Sequence, residues 1–364
     1  MSLTSKDSTK ETPRKPNSRA GKAVTLEMVA KSVGITKTAA SYALSGKNEV
    51  SEATRARVLQ AARELGYRPN PHAQRLSSGL CKGMVGIYSS LLDLGVATLF
   101  VSELHNHLQN QGCEAPIYTY GHYRGVEGDY RQLLNSLCRQ RPEGIICNGA
   151  TQNGKTLDID ILEEYQNIGG TVVCVHTSLP GLECDRVLFD RAENTYLAAK
   201  VLLDAGHRDI GFCTYGVRND NEPRRSGFLR ALAEYGIAPQ DQWFFEAEER
   251  ETGGVLLAEQ FLSLEKRPTG LCIVNDTQAA TFVHQLSRAG LSVPQDISVV
   301  SLDGLPAAEY GLVRLTSVSH PFREMAATAT QWMNERLHKT YTGEPRTIAY
   351  AGEVAERESV RRLH

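Results

Sequence analysis

Lys37, Thr38, Ser41 and Tyr42 fall at i, i+1, i+4 and i+5, which puts them on one side of any helix that holds them. None is acidic, and each can donate a hydrogen bond. Such side chains on an exposed helical face suit the base edges and phosphates of a DNA major groove. They would serve equally as the solvated side of a small bundle, so their setting has to decide. A second candidate is Gly149-Ala-Thr-Gln-Asn-Gly-Lys-Thr156, which fits the GxxxxGK[ST] loop that cradles phosphates. Two strand-like runs precede the one it follows, whereas a nucleotide loop ordinarily comes after the first strand of its domain. The eight cysteines form no C-x-x-C pair, and several sit inside apolar runs. They read as free buried thiols of a reducing cytosol, with no metal spacing and no cofactor expected.

The elements that would carry the first group are three short helical patterns between Val24 and Ser78. Thr25 can cap the first, whose apolar stripe is Leu26, Val29, Ala30 and Val33, with Gly34 as its stop. Thr36 can cap the second, with Ala40, Ala43 and Leu44 inward and Ser45-Gly46 at its close. Ser51 can cap the third, with Val58, Leu59, Ala62 and Leu65 inward and Gly66 at its end. Two short helices joined at a tight glycine turn and braced by a third make a helix-turn-helix. Tyr67-Arg68-Pro69-Asn70-Pro71 then reads as an extended spacer. The following His72–Ser77 is too short to hold a helix unaided. A turn that folds only against DNA, offering Leu76 to a base step, fits those facts.

These stretches resemble the LacI/GalR (lactose/galactose repressor) family of transcription regulators. The family signature runs VAxxAGVSxxTVSxxLN, VSxxTRxxVxxAxxxLGYxPN and AxxL; this chain has VAKSVGITKTAASYALS, VSEATRARVLQAARELGYRPN and AQRL. The resemblance implies a DNA-binding set of Thr25, Thr36, Lys37, Thr38, Ser41, Tyr42, Asn48, Arg55 and Tyr67, joined by Ala73, Arg75 and Leu76 of the hinge. Tyr42 stands where an arginine is common, so the bases met there can differ. A steep loss of binding with salt is also expected.

Charge distribution agrees with that reading. Net charge is −2 overall, but residues 1–79 carry a net +8 and the remainder −10. A basic head on an acidic body points to a polyanionic partner for the head alone. Residues 1–23, rich in Ser, Thr, Lys, Pro and Asn without an apolar run, read as a disordered arm. No stretch reads as a signal segment or a membrane span, so a cytoplasmic protein is expected.

From Gly83 onward, short apolar runs alternate with amphipathic helical stretches. That pattern implies parallel sheets covered by helices on both faces, and some ten strands imply two lobes. Ligands of such sheets bind outside the carboxyl ends of the strands, here in the cleft between the lobes. The resemblance extends along this body, through Leu203-Asp-Ala-Gly-His-Arg-Asp-Ile-Gly-Phe, Val274-Asn-Asp and Leu315-Thr-Ser-Val-Ser-His-Pro-Phe. It implies the two-lobed fold of periplasmic sugar-binding proteins, with three crossings near Phe189, near Ser319 and in 341–348. Carried over residue by residue, the implied effector-binding set is Asn148, Phe189, Arg224, Asn275, Asp303 and Phe322, with Ser89, Asp93, His176, Glu249 and His320 also facing the cleft. Carboxylate, amide and guanidinium groups pair with vicinal hydroxyls, while aromatics stack on a ring. His176 replaces a common aspartate and Glu249 a common aromatic, which leaves room for an effector bearing an amine or an acid.

The expected architecture is an N-terminal all-α helix-turn-helix domain (24–68), a hinge and linker (69–82), and an α/β two-lobed periplasmic-binding-protein-like effector and dimerisation domain with three crossovers (83–364). The expected function is a homodimeric, non-enzymatic regulator that binds a pseudo-palindromic double-stranded DNA operator under control of a sugar-like small molecule. A P-loop nucleotide-binding protein and a solute-binding protein without a DNA role are the alternatives.

Overall fold

A computed structural model of the chain describes residues 24–44, 49–67, 81–90, 95–120, 122–123, 126–127, 130–148, 151–152, 155–156, 159–176, 179, 181–215, 221–247 and 250–363. The chain divides into two compact units, one ending at Ser77 and one starting at Ser78.

In the first unit, helices span Leu26–Val33, Lys37–Leu44 and Glu52–Leu65. Thr25 Oγ1 accepts from Met28 N–H at 3.4 Å, Thr36 Oγ1 from Ala39 N–H at 3.2 Å, and Ser51 Oγ from Thr54 N–H at 3.3 Å. Each cap satisfies an otherwise orphaned amide, worth about 1 kcal/mol. Gly34 and Gly66 end their helices at φ 73° and 69°, a region that favours glycine. The core is Val29, Ala30, Val33, Ala40, Ala43, Val58 and Ala62. Leu59 and Leu65, expected inside, are 39% and 38% exposed. The two partner helices have only 8 residues each against 14 in the third. They can cover one stripe of it, and Leu59 lies a step of about 100° round from Val58.

Among its described residues the second unit holds sixteen strands: β1 Cys81–Ser90, β2 Ile117–Tyr120, β3 His122–Tyr123, β4 Val126–Glu127, β5 Pro142–Asn148, β6 Thr151–Gln152, β7 Lys155–Thr156, β8 Thr171–His176, β9 Asp185–Phe189, β10 Ile210–Tyr215, β11 Phe244–Ala247, β12 Gly270–Ile273, β13 Ser298–Asp303, β14 Thr316–Ser319, β15 Thr347–Tyr350 and β16 Glu353–Ala355. The first lobe is a parallel sheet ordered β15-β9-β8-β5-β1-β2, and the second is ordered β11-β10-β12-β13-β14-β16. Only β16 runs antiparallel within the second sheet, an exception to the all-parallel expectation.

Alternation along the strands feeds two cores per lobe. In the first lobe Val85, Ile87, Ile146, Val173 and Val187 pack on helices Val96–Asn110 and Phe322–Leu337, while Tyr88, Ile145, Cys147 and Cys174 face helices Tyr130–Arg139 and Ile159–Asn167. In the second lobe Cys213, Leu271 and Val299 face helices Arg250–Ser263 and Asp276–Arg288; Phe212, Cys272 and Val300 face Arg191–Asp204 and Asn221–Glu234. Gly144 has no side chain because one would meet Met333 Sδ at 2.4 Å, where the helix Phe322–Leu337 lies on the sheet.

The chain changes lobes after Phe189, after Ser319 and after Tyr350. The third crossing lies beyond the expected 341–348 region, since β15 pairs with β9 and keeps residues 347–350 in the first lobe. Cys113, Cys138, Cys147, Cys174, Cys184, Cys213 and Cys272 are free, and the last five of these are buried. Burial pushes the Cys213 and Cys272 thiols upward, away from the reactive thiolate.

Candidate functional site

Two places concentrate the chemistry. The first is the helix Lys37–Leu44. Its inner face is Ala40 and Ala43, both buried, with Leu44 packed half-buried against the same core, so the helix sits close on its neighbours and leaves its other side uncovered. Lys37, Thr38 and Ser41 are exposed there, and Tyr42 is half-buried beside them. Thr25 and Thr36 are exposed as well, with their hydroxyls engaged in caps. Arg55 is half-buried and reaches Glu52 at 3.6 Å. Tyr67 is half-buried, and burial raises its phenol above the usual value. Asn48, Ala73, Arg75 and Leu76 lie outside the described residues.

The second place is where the carboxyl ends of both sheets meet, next to the crossings. From the first lobe come Ser89 and Asn148, paired across β1 and β5, with Asn148 Nδ2 donating to Ser89 Oγ at 3.0 Å. Both are fully buried, and Asn148 Oδ1 has no donor among the described residues. His176 ends β8 at φ 70° and meets the Phe189 ring edge-on at 4.7 Å. Phe189, Phe100 and Phe322 form a triangle with centroids about 6 Å apart.

From the second lobe, Asn275 Nδ2 donates to Asp303 Oδ2 at 2.7 Å, and Asn275 Oδ1 caps its own helix through Gln278 N–H. His320 Nε2 lies 3.2 Å from Asp303 Oδ1, and its ring stacks on Phe189 at 4.0 Å. Asp303 sits at φ 110°, followed by Gly304 at φ 72°, so this turn is strained rather than casual. Arg224 is half-buried in the first turn of the helix Asn221–Glu234. Beside that helix opens a cavity of about 270 Å³, lined by Thr214, Asn221, Glu222, Arg225, Phe244, Phe245 and Glu246, none of them an expected effector residue. Asp93 and Glu249 lie outside the described residues.

Two groups here were not anticipated. Asn194 joins His320 to the third crossing, and no sequence pattern marks it. Asp276, fully buried, accepts from Ser301 Oγ at 2.5 Å, Ser317 Oγ at 2.8 Å and Leu305 N–H at 2.6 Å. Burial, and then the charge of Asp303, raise its pKa from 3.8 to about 7. The folded value exceeds the unfolded one, so ionising Asp276 opposes folding. Its contribution is most favourable below about 3.8 and is lost as pH rises through about 7. Between about pH 5 and pH 7 the unit is therefore expected to lose about 2–3 kcal/mol, a loss absent from Asp276→Asn. Urea unfolding of both chains at the two pH values checks this; equal slopes would refute it.

The phosphate-loop alternative has no support in the backbone. Lys155 and Thr156 pair antiparallel with Gln152 and Thr151 in a short hairpin, instead of opening a helix as such a loop requires.

The sequence pattern of bacterial regulatory proteins, lacI family, matches residues 25–70, and that of a periplasmic binding protein-like domain matches 199–360. The HTH-type transcriptional repressor PurR of Vibrio campbellii (strain ATCC BAA-1116) is 29% identical over 350 residues, covering 93% of this chain and 99% of that one. The chain belongs to the LacI family of bacterial regulatory proteins. A second PurR, from Vibrio cholerae serotype O1 (strain M66-2), is 28% identical over 93% of this chain and 98% of its own. Solved LacI-family structures share the fold. The lac repressor dimer bound to operator and the anti-inducer ONPF superposes with a TM-score of 0.75 at 21% identity, over 93% of this chain and 100% of that one. The CelR–cellobiose complex gives 0.66 at 23% identity, over 92% and 99%. No helix among the described residues is long and apolar enough to cross a membrane.

Proposed function

We propose that this LacI-family chain is a cytoplasmic transcriptional repressor that grips a two-fold symmetric operator as a homodimer and is switched by a small molecule between its lobes. The observation that carries the reading is the uncovered Lys37–Thr38–Ser41 face on a capped helix-turn-helix. Residues 24–68 are the reader, with Arg55, Tyr67 and Asn48 supporting it on the backbone. Residues 69–82 are the hinge, whose Ala73, Arg75 and Leu76 enter the minor groove, and 83–364 are the effector and dimerisation body.

Asp303, Asn275, Arg224, Asn148, Ser89 and His176 supply the polar grip on a sugar-like or related metabolite, with Phe189, Phe322 and His320 against its ring; Asp93 and Glu249 are further members of the effector-binding set. In support, Ser89, Asn148, His176 and Phe189 of the first lobe and Asn275 and Asp303 of the second lie at or just after the carboxyl ends of strands, and the related CelR was solved with cellobiose. The ligand acts only through its preference for one lobe angle. The test is selection by the full chain from randomised double-stranded DNA. One two-fold symmetric sequence should be enriched; a pool without such a site would refute the reading.

Dimerisation has its own support. Tyr310 and Leu312 are 80% and 66% exposed, the most exposed of the described large apolar residues, on either side of Gly311 where the helix Pro306–Tyr310 ends. Exposed aromatic and aliphatic pairs of this kind mark interfaces. Tyr310→Asp with Leu312→Asp is expected to give a monomer by light scattering, with loss of binding to the symmetric duplex. A dimer of unchanged mass would contradict this placement.

A further inference from the structure

The three passages between the lobes touch one another. A Cβ on Gly352, in the third, would stand 2.5 Å from the carbonyl oxygen of Ser319 in the second, and one on Gly304 would stand 2.7 Å from Ser319 Cβ. Asn194 lies in the first turn of the helix Arg191–Asp204, which leaves the first passage, and its side chain is buried. Its Oδ1 accepts from Gly352 N–H at 2.6 Å, and its Nδ2 lies 3.3 Å from His320 Nδ1. An amide NH2 can only donate, so Nδ1 is the acceptor and the imidazole proton sits on Nε2, facing Asp303 Oδ1 at 3.2 Å. The same imidazole stacks on Phe189, the last residue before the first passage. One buried amide thus reaches all three passages, and through one imidazole it reaches the cleft carboxylate. A polar side chain in a helix interior facing the core costs free energy unless both its ends are bonded, and here both are.

We infer that Asn194 is a positioning residue: with His320 and Gly352 it forms a clasp that makes the three crossings move together and ties them to Asp303. A ligand group that takes Asp303 Oδ1 must release His320 Nε2–H, and the release is felt at all three crossings at once. That second half rests on the proposed role of Asp303 in effector binding; the clasp itself does not.

The experiment is hydrogen–deuterium exchange of the full chain without DNA or ligand, read at peptides 317–324 and 350–356, with β13 as the internal reference. In Asn194→Ala both peptides should exchange about tenfold faster or more, while β13 is unchanged. Asn194→Asp keeps an acceptor for Gly352 N–H and should restore protection at 350–356. Asp303→Asn should loosen 317–324 and leave 350–356 protected, since the Asn194–Gly352 bond does not need Asp303. Unchanged exchange at 317–324 in Asn194→Ala, or in Asp303→Asn, would overturn the clasp. A general rise that includes β13 in Asn194→Ala would mark unfolding, and the Asn194→Asp chain then decides, with failure to protect 350–356 counting against the proposal. None of these outcomes depends on an effector being bound, so a failed effector reading would leave them intact.

Discussion

Replacing Lys37 and Thr38 together with alanine is expected to weaken binding to the selected symmetric duplex by about a hundredfold or more. A good bidentate contact to a base edge is worth about 1–3 kcal/mol of discrimination, and two positions on each reader are lost. Binding to unrelated DNA should fall far less, because phosphate contacts from the rest of the basic head persist. Both residues are exposed and neither belongs to the helical core, so the fold of the unit should be untouched. Fluorescence anisotropy on selected and scrambled duplexes, with circular dichroism as the folding control, makes the comparison. Equal losses on both duplexes would mean that this face reads charge and not sequence.

The second large effect is structural. Asp185 opens β9 with its side chain fully buried, and both oxygens are used twice. Oδ1 accepts from Arg336 Nη2 at 2.8 Å and from Arg346 N–H at 2.8 Å. Oδ2 accepts from Arg336 Nε at 3.1 Å and Arg346 Nη2 at 2.9 Å. Arg346 also meets Glu335 at 2.5 Å and lies over the Trp332 and Tyr341 rings at 4.4 and 3.9 Å. The network fastens β15 and the end of the helix Phe322–Leu337 to the first lobe, just after the chain has crossed back into it.

Asp185→Ala strands two guanidinium groups that are only about a fifth exposed, which should cost about 3–5 kcal/mol in urea unfolding. A cost under about 1 kcal/mol would show that solvent screens the arginines. Burial by itself would raise the Asp185 carboxyl, but the two arginines outweigh it and hold it below the usual range. Its stabilisation is therefore present above the ordinary carboxylate value and lost on further acidification, the reverse of Asp276.

Much of this architecture was legible in the residues, because period and punctuation carry it. Caps at Thr25, Thr36 and Ser51 and stops at Gly34 and Gly66 bound the three reader helices. Apolar runs alternating with amphipathic stretches carry the two sheets and the helices on their faces. What escaped was tertiary in origin. The edge strand β16, only three residues long, has no run of its own and exists because β14 offers it an edge. The five-residue helix Pro306–Tyr310 is too short to show a period. Leu59 and Leu65 fit an inner stripe by spacing, yet the bundle is too small to cover them.

The cleft shows the same division. Phe189, Asn275, Asp303, His320 and Phe322 were assigned to it through family motifs, and the fold brings them within contact of one another. Asn194 and Asp276 carry no such motif. Their importance comes from what the crossings and the strained turn at Asp303 place beside them.

The most direct measurement is the affinity of the full chain for its selected operator, with and without a small molecule that raises its melting temperature in a screen of sugars, nucleosides and amino-acid metabolites. Coupling between two sites typically amounts to about 1–3 kcal/mol, a shift of roughly 5–150-fold. A shift in that range is expected for the natural chain and is lost in Asp303→Ala, whose reader is intact. Identical operator affinity with and without a compound that stabilises the body would contradict it.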